Sequence, residues 1–200
     1  MIVSLIRHGE TAPEPPNSFY GGTEVPLSEN GKRQAQLAAL TFKEVELDGI
    51  ICSPLSRAVY GAERVQLQHP NLEIIEHSGL REIDRGRWVG HDLASVKASF
   101  PGDWDMYLND PLNWRGHGGE SLMELYVRVQ AAFDEINQWK LSNIAIVAHL
   151  FPIRAIVSKT VDLSLEEQML KCKIATASIS SIARNEDGVW KPRYIGQIPY

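Results

Sequence analysis

Four side chains that can bind or attack a phosphoryl group follow apolar runs of this sequence, either directly or one helical turn later. They are Arg7, His8, Arg57 and His149. An arginine presents a planar fork of donors that suits phosphate or carboxylate. An imidazole can act as nucleophile, base or ligand near neutral pH. Two of each, brought together, would suit a phosphoryl group, whose oxygens carry dispersed negative charge in the transition state.

Three short apolar runs predict the strands that would bring these side chains together. The runs are residues 2–6, 50–52 and 143–148. Short runs dominated by apolar residues are typical of strands buried on both faces, as in a parallel sheet. The carboxyl ends of parallel strands share one edge, and ligands bind at that edge in open α/β sheets. Gly9, which lacks a Cβ, is expected to let the backbone approach a ligand closely.

Capping signals predict the helices that follow these strands. Ser28 caps one helix, and Ser53 with Pro54 starts another, which places Arg57 in its first turns. Pro152 starts a helix after the third strand. Two capping boxes mark further helix starts, namely Ser121 with Glu124 and Ser164 with Glu167. Asp187 and Gly188 predict a hairpin turn, and Pro192 restricts the last strand to an edge of the sheet or ends it.

Length, composition and charge predict how many domains the protein has, which partners it binds and in which compartment it lies. We expect one domain, residues 1–200, with 44% hydrophobic and 22% charged residues, as in ordinary globular proteins. The formal charge of −5 argues against a nucleic-acid partner. No apolar run approaches the roughly 20 residues that span a membrane, so no membrane partner is expected. Cys52 and Cys172 lie far apart in sequence, and no leader is visible, so a reduced, cytoplasmic protein is predicted.

The region around 84–120 predicts a lid-like insertion. It contains Trp104, Tyr107 and Trp114 together with Pro111. These aromatic side chains could contact a substrate, although packing in a core is their more common use.

A zinc site is a rival interpretation of the same histidines. His8 and His149, joined by His91 or His117, would supply three ligands. Two arginines beside the same cation would be repulsive, so we predict no metal. No acidic cluster indicates magnesium either.

Seven motifs, in order along nearly the whole chain, resemble the histidine phosphatase superfamily, also called phosphoglycerate mutase-like. They are LIRHGET (5–11), PLSENG (26–31), SPLSRA (53–58), LRE (80–82), GRWVG (86–90), GGES (118–121) and IVAH (146–149). The resemblance implies an α/β fold, specifically a three-layer α/β/α sandwich whose mostly parallel central sheet carries helices on both faces.

The resemblance also implies a role for each site residue. His8 attacks phosphorus, and Arg7, Arg57 and His149 hold the phosphoryl oxygens. Glu82 corresponds to the general acid, which protonates the leaving alkoxide and then activates water. For His8 to attack, one ring nitrogen must be unprotonated while the other donates to a backbone carbonyl.

Two positions depart from the family pattern. Glu14 stands where many members have asparagine, and a carboxylate there repels phosphate unless it points away or meets a cationic part of the substrate. Leu150 follows His149 where glycine is usual, so its amide can donate but its side chain must be accommodated. We predict Glu14, Leu150 and Gly21 as further substrate-binding residues.

The function that the resemblance implies is metal-independent hydrolysis of a small phosphorylated metabolite through phosphohistidine, with no cofactor. The chain is most similar to the branch that includes α-ribazole phosphatases and metal-independent phosphoserine phosphatases. Two alternatives stay open, namely phosphoglycerate mutase-type phosphoryl transfer and a phospho-ligand-binding module without turnover. The sequence also leaves a homodimer open.

Overall fold

A six-stranded sheet forms the centre of the protein in a computed structural model that describes residues 1–199. The strands are β1 (Ile2–Arg7), β2 (Gly49–Cys52), β3 (Ile74–Glu76), β4 (Asn143–Ala148), β5 (Ile179–Arg184) and β6 (Trp190–Gln197). Their order across the sheet is β3-β2-β4-β1-β5-β6. Neighbours among β1 to β4 pair in parallel, whereas β5 pairs antiparallel with both β1 and β6. The predicted, mostly parallel sheet is confirmed.

Seven α-helices surround the sheet within the described residues. They are α1 (Glu29–Leu40), α2 (Ser56–Gln66), α3 (Leu93–Ser99), α4 (Asp103–Asn109), α5 (Leu122–Gln138), α6 (Leu150–Val157) and α7 (Leu165–Lys171). Short 3₁₀ helices lie at Ser78–Leu80, Gly86–Trp88 and Ser158–Thr160.

Two apolar cores, one on each face of the sheet, hold these layers together. Val3 and Leu5 of β1 point into the core shared with α5, α6 and α7, and Ile6 points into the core shared with α1 and α2. Each fully buried aliphatic side chain contributes about 1.5–3 kcal/mol relative to exposure. Because both faces are covered, β1 and β4 are mostly apolar and buried rather than alternating, with Ser4, Arg7 and Asn143 as their polar residues. The three-layer α/β/α prediction is confirmed.

The strand register aligns the ends from which the site is built. Arg7 of β1 pairs with Ala148 of β4, and Cys52 of β2 pairs with Val147 of β4. The residues that follow these strands therefore emerge at one edge of the sheet, as predicted.

Two helix starts differ from the prediction. Helix α2 begins at Ser56 rather than at the Ser53–Pro54 pair, and the Ser53 hydroxyl oxygen accepts from the Leu55 amide instead of capping the helix. Helix α6 begins at Leu150, which places Pro152 third in the helix. Proline is tolerated there because amides in the first turn have no acceptor within the helix.

The other caps and the edge strand are as predicted. Ser28 caps α1, and both capping boxes, at Ser121 and Ser164, are formed. Pro192 lies within β6, an edge strand of the sheet, where a missing amide hydrogen is tolerated.

The aromatic residues of region 84–120 pack on one another. Trp88 is fully buried against Tyr107, Trp104 and Trp114. Asp103 is buried and accepts hydrogen bonds from Arg87 and from the Trp88 indole, which ties α4 to the Gly86–Trp88 turn. These aromatics therefore form a small core, the more common of their two predicted uses.

None of the helices formed by residues 1–199 is long and apolar enough to cross a membrane.

Gly9 contacts backbone of its own chain, which corrects the expectation that it makes room for a ligand. A Cβ on Gly9 would lie 2.1 Å from the carbonyl oxygen of Gly31 in the first turns of α1. The absence of a side chain thus lets the loop after β1 pack directly on α1.

We predict that Gly9→Ala destabilises the protein by roughly 2–3 kcal/mol, because inserted atoms that force backbone shifts cost about 1–3 kcal/mol. Urea unfolding of wild type and variant measures the difference. Gly102→Ala is the control, because Gly102 has a positive φ but no atom near its missing Cβ; we expect a loss of about 1 kcal/mol there. Equal stability of Gly9→Ala and wild type would show that the contact with Gly31 is unimportant.

Candidate active site

The strand ends bring both histidines and both arginines into one cluster, in which His8, Arg57 and His149 are buried and Arg7 is half-buried. His8 follows β1 and His149 follows β4, and the centroids of their rings are 5.1 Å apart. Arg57, in the first turn of α2, is 1% exposed and reaches His149. The structure therefore brings together the residues predicted from the three strands.

The His8 ring is held in one tautomer by the adjacent backbone. Its Nδ1 lies 2.7 Å from the carbonyl oxygen of Gly9, and because a carbonyl only accepts, Nδ1 must carry the proton. Nε2 is then unprotonated and has no hydrogen-bond partner within residues 1–199. Burial lowers the pKa of His8 to about 3, and the positive charges of Arg57 and Arg7 add to this effect. His8 is therefore a neutral imidazole with a free lone pair.

Both ring nitrogens of His149 have partners. The Arg57 Nε donates to Nδ1 over 3.3 Å, so Nδ1 is unprotonated, and Nε2 lies 2.7 Å from the Ser53 hydroxyl oxygen, to which it donates. Burial lowers the pKa of His149 well below its usual range, and the neighbouring charges act in the same direction. His149 is thus neutral, in the tautomer opposite to that of His8.

Backbone carbonyls, rather than carboxylates, hold the two arginines. Arg57 donates to the carbonyls of Thr23 and Gly21, each over 2.7 Å, and its guanidinium lies over the Tyr20 ring at 5.1 Å. Arg7 donates to the carbonyl of Ile174.

Neither arginine is neutralised by the protein. The Arg7 Nε is buried without a hydrogen-bond partner, and in the part of the chain that the structure describes, no carboxylate lies within 4 Å of Arg7 or Arg57. Buried charge is unfavourable unless it is paired. The cluster is therefore able to bind an anion.

Glu82 lines a cavity of about 670 Å³ and is close enough to Arg7 and Arg57 for their charges to act on its carboxyl group. Its Oε1 accepts from the Ile83 amide over 3.0 Å. Burial raises the pKa of Glu82, although that hydrogen bond and the charges of Arg7, Arg85 and Arg57 oppose the shift. A carboxyl group with a raised pKa can hold a proton closer to neutral pH.

The cavity beyond Glu82 is lined by charged residues and glycines. Three arginines lie there, but Arg128 is held by Glu120 and Arg115 pairs with Glu124. Arg81 donates to the Gly22 carbonyl.

The other predicted binding residues lie in different surroundings. Gly21 has φ +46° and holds Arg57 through its carbonyl. Glu14 is exposed in the proline loop, beside a shallow depression that also contains Thr11 and Tyr20. The structure therefore does not bring Glu14 into the cluster. Leu150 packs against the core formed with α5 to α7, which accommodates the side chain where the family pattern has glycine.

The histidines of the zinc interpretation do not gather at one point. His91 packs on Phe100, and His117 packs on Trp88. Across residues 1–199, no three His, Cys, Asp or Glu side chains are grouped so that they could hold a metal ion.

Sequence reasoning missed three residues that support the cluster. Ser53 orients His149, Tyr20 lies beneath Arg57, and Thr23 lends Arg57 a carbonyl. Of these three, only Ser53 could have been identified from the sequence, because it directly follows a buried strand and precedes Arg57. Thr23 acts through its backbone, which side-chain chemistry does not reveal.

Comparison with known proteins agrees with this architecture. The profile of the histidine phosphatase superfamily (branch 1) matches residues 3–195. Phosphoserine phosphatase 1 from Hydrogenobacter thermophilus is 34% identical over 153 residues, which cover 76% of this chain and 72% of that protein. An acid phosphatase from Mycobacterium tuberculosis is 33% identical over 199 residues, or 96% of this chain and 90% of that one.

The fold is shared with solved structures. The crystal structure of the alpha-ribazole phosphatase from Shigella flexneri superposes with a TM-score of 0.89 at 23% identity, over 98% of this chain and 96% of that chain. The profile match and the two relatives extend over most of the chain, and the profile match includes the strand ends that form the cluster. The chain therefore belongs to the histidine phosphatase superfamily and is a phosphatase.

Proposed function

We propose that this phosphatase hydrolyses a small phosphorylated metabolite without a metal, by way of a phosphohistidine at His8. The proposal rests on the free Nε2 of a neutral His8 beside two arginines that have no carboxylate partner, the buried Arg57 and the half-buried Arg7. A phosphate monoester would supply the missing negative charge and place its phosphorus next to the lone pair.

In the first step, the His8 Nε2 attacks phosphorus while the bond between phosphorus and the ester oxygen breaks. Glu82 gives its proton to the departing alkoxide. Arg7 and Arg57 stabilise the charge on the three phosphoryl oxygens that do not leave. The Gly9 carbonyl stabilises the Nδ1 proton of the phosphorylated ring.

In the second step, the Glu82 carboxylate takes a proton from water, whose oxygen attacks phosphorus. The bond between phosphorus and Nε2 breaks, inorganic phosphate leaves, and His8 returns to its neutral form. Glu82 regains the proton that it lost, so protons and bonds balance over the cycle.

His149 must change tautomer or gain a proton to hold a phosphoryl oxygen. In the free site its Nδ1 accepts from Arg57, so it has no proton to offer at that nitrogen. A bound phosphate favours the protonated ring because opposite charges attract. Ser53 keeps the ring oriented in either state.

Similarity to phosphoserine phosphatase 1 makes phosphoserine a first substrate to test. Four earlier expectations stay predictions, namely the single domain 1–200, a lid function for region 84–120, a cytoplasmic location and a homodimer.

We predict that rapid quenching with a radioactive aryl phosphate labels wild-type protein on His8, and that His8→Asn is unlabelled and inactive. Glu82→Gln should accumulate labelled His8, because an aryl leaving group needs little acid assistance while water still needs the base. Its turnover should fall roughly 10²- to 10⁴-fold. Turnover by wild type without label on His8 would refute the proposal.

The same assay in EDTA tests the metal-independent chemistry. Activity should be retained in full after dialysis against the chelator. Loss of activity in EDTA, restored by zinc, would favour the metal interpretation instead.

We predict that the free protein loses stability as pH falls from about 6.5 towards 3, in part through His8. The unfolded chain binds a proton near pH 6.5, whereas folded His8 does so only at about pH 3. Stability therefore falls with pH, by up to about 1.4 kcal/mol per pH unit for one such histidine. Urea unfolding at pH 7, 6 and 5, without phosphate or sulfate, measures the slope.

His8→Asn should reduce that slope by about 1 kcal/mol per pH unit between pH 6 and 5. A variant with the same slope as wild type would mean that His8 is charged in the folded protein.

A further inference from the structure

Arg85 is a buried cation that the mechanism above leaves unused. It is 7% exposed, and no hydrogen bond or carboxylate within 4 Å reaches its guanidinium from any part of residues 1–199. Its guanidinium carbon lies 5.0 Å from the centre of the Phe151 ring and 5.9 Å from that of Phe19. An arginine packed on aromatic faces keeps its five donors available in its own plane.

Arg85 lies beside residues that form the active site. Its Cγ would be 2.9 Å from a Cβ on Gly21, the residue whose carbonyl holds Arg57. Phe151 comes two residues after His149 in the first turn of α6. The charge of Arg85 also lowers the pKa of Glu82, which indicates that the two side chains are close.

The carboxylates of Asp84 and Glu120 are engaged elsewhere. Asp84 is exposed and accepts from the Gly86 amide, and Glu120 forms a bidentate pair with Arg128. Arg154, which also packs on Phe151, donates to the carbonyls of Cys172 and Met169. Arg85 therefore differs from Arg128 and Arg154, because its guanidinium donors have no acceptor in the protein.

The charge balance of the site indicates that Arg85 lacks a negatively charged partner. A phosphate monoester carries up to two negative charges, which balance Arg7 and Arg57. Arg85 would then remain a positive charge without an acceptor beside the reaction, and a second anion would stabilise it there.

We propose that Arg85 binds a second anionic group of the substrate, so that the preferred substrates are phosphate monoesters with a carboxylate or a second phosphate near the ester. This inference rests on the proposed function, because it assumes that the first phosphoryl group lies between His8, Arg7 and Arg57. Arg85 is then a specificity-determining residue of the site.

Matched substrate pairs test this inference directly. Phosphoserine is compared with phosphoethanolamine, which differs from it only by the carboxylate. A sugar bisphosphate is compared with its monophosphate, which lacks the second phosphate. For wild type we expect kcat/KM to be higher for the more anionic member of at least one pair, and the pair that responds identifies the second group.

Arg85→Met keeps the stem between the two aromatic rings and removes the charge. In the responsive pair, we expect it to lower kcat/KM for the more anionic member by roughly 10- to 100-fold, as for the loss of a hydrogen bond to a charged group. The other member and an aryl phosphate should change by less than about threefold. Arg85→Lys, which keeps the charge, should recover part of the preference.

Circular dichroism and thermal unfolding of both variants show whether they fold. If Arg85→Met does not fold, Arg85→Lys alone tests the preference for the more anionic substrate. An equal loss for both members of each pair would overturn the inference, because a purely structural arginine has no reason to distinguish them. The inference would also be overturned if the wild type preferred neither the substrate with the carboxylate nor the substrate with the second phosphate. In both cases, aryl phosphate turnover through labelled His8 would leave the proposed function intact, whereas absence of that label would refute the proposed function itself.

Discussion

Positive charge that the protein itself does not neutralise is the physical condition on which this site depends. Arg57 is buried and Arg7 half-buried, both with backbone carbonyls as partners, and Arg85 has no polar partner within the described chain. Burial, together with the charges of Arg57 and Arg7, disfavours a proton on His8. One arrangement therefore attracts an anion and keeps the imidazole beside it unprotonated. These are the two requirements for a nitrogen nucleophile that acts on phosphorus.

The fold supplies this arrangement through the ends of its parallel strands. Aligned strands β1, β2 and β4 bring residues from positions 7 to 149 to one edge, and two apolar cores hold the strands rigidly. Carbonyls of the loop around Gly21 then fix Arg57 without cancelling its charge. A carboxylate in their place would hold the arginine equally well but would compete with phosphate. The backbone of this loop is thus as important to the chemistry as any side chain.

Much of this could be predicted from the sequence because it follows from local patterns. Apolar runs and capping residues identified the strands and most helix starts, and polar residues after strands identified His8, Arg57 and His149. Close backbone contacts could not be predicted in this way, so the actual neighbour of Gly9, the Gly31 backbone, was missed. Glu14 was expected to bind substrate from motif position alone; the structure places it in the exposed proline loop outside the cluster, and its role in binding stays a prediction.

A neutral His8 with its proton on Nδ1 is the state on which the proposed chemistry depends. Nitrogen-15 NMR of protein labelled in its histidines, assigned with His8→Asn, measures this state directly between pH 4.5 and 7. We expect a protonated Nδ1 bonded to the Gly9 carbonyl and an unprotonated Nε2 throughout that range. An imidazolium ring at neutral pH, or a proton on Nε2, would contradict it.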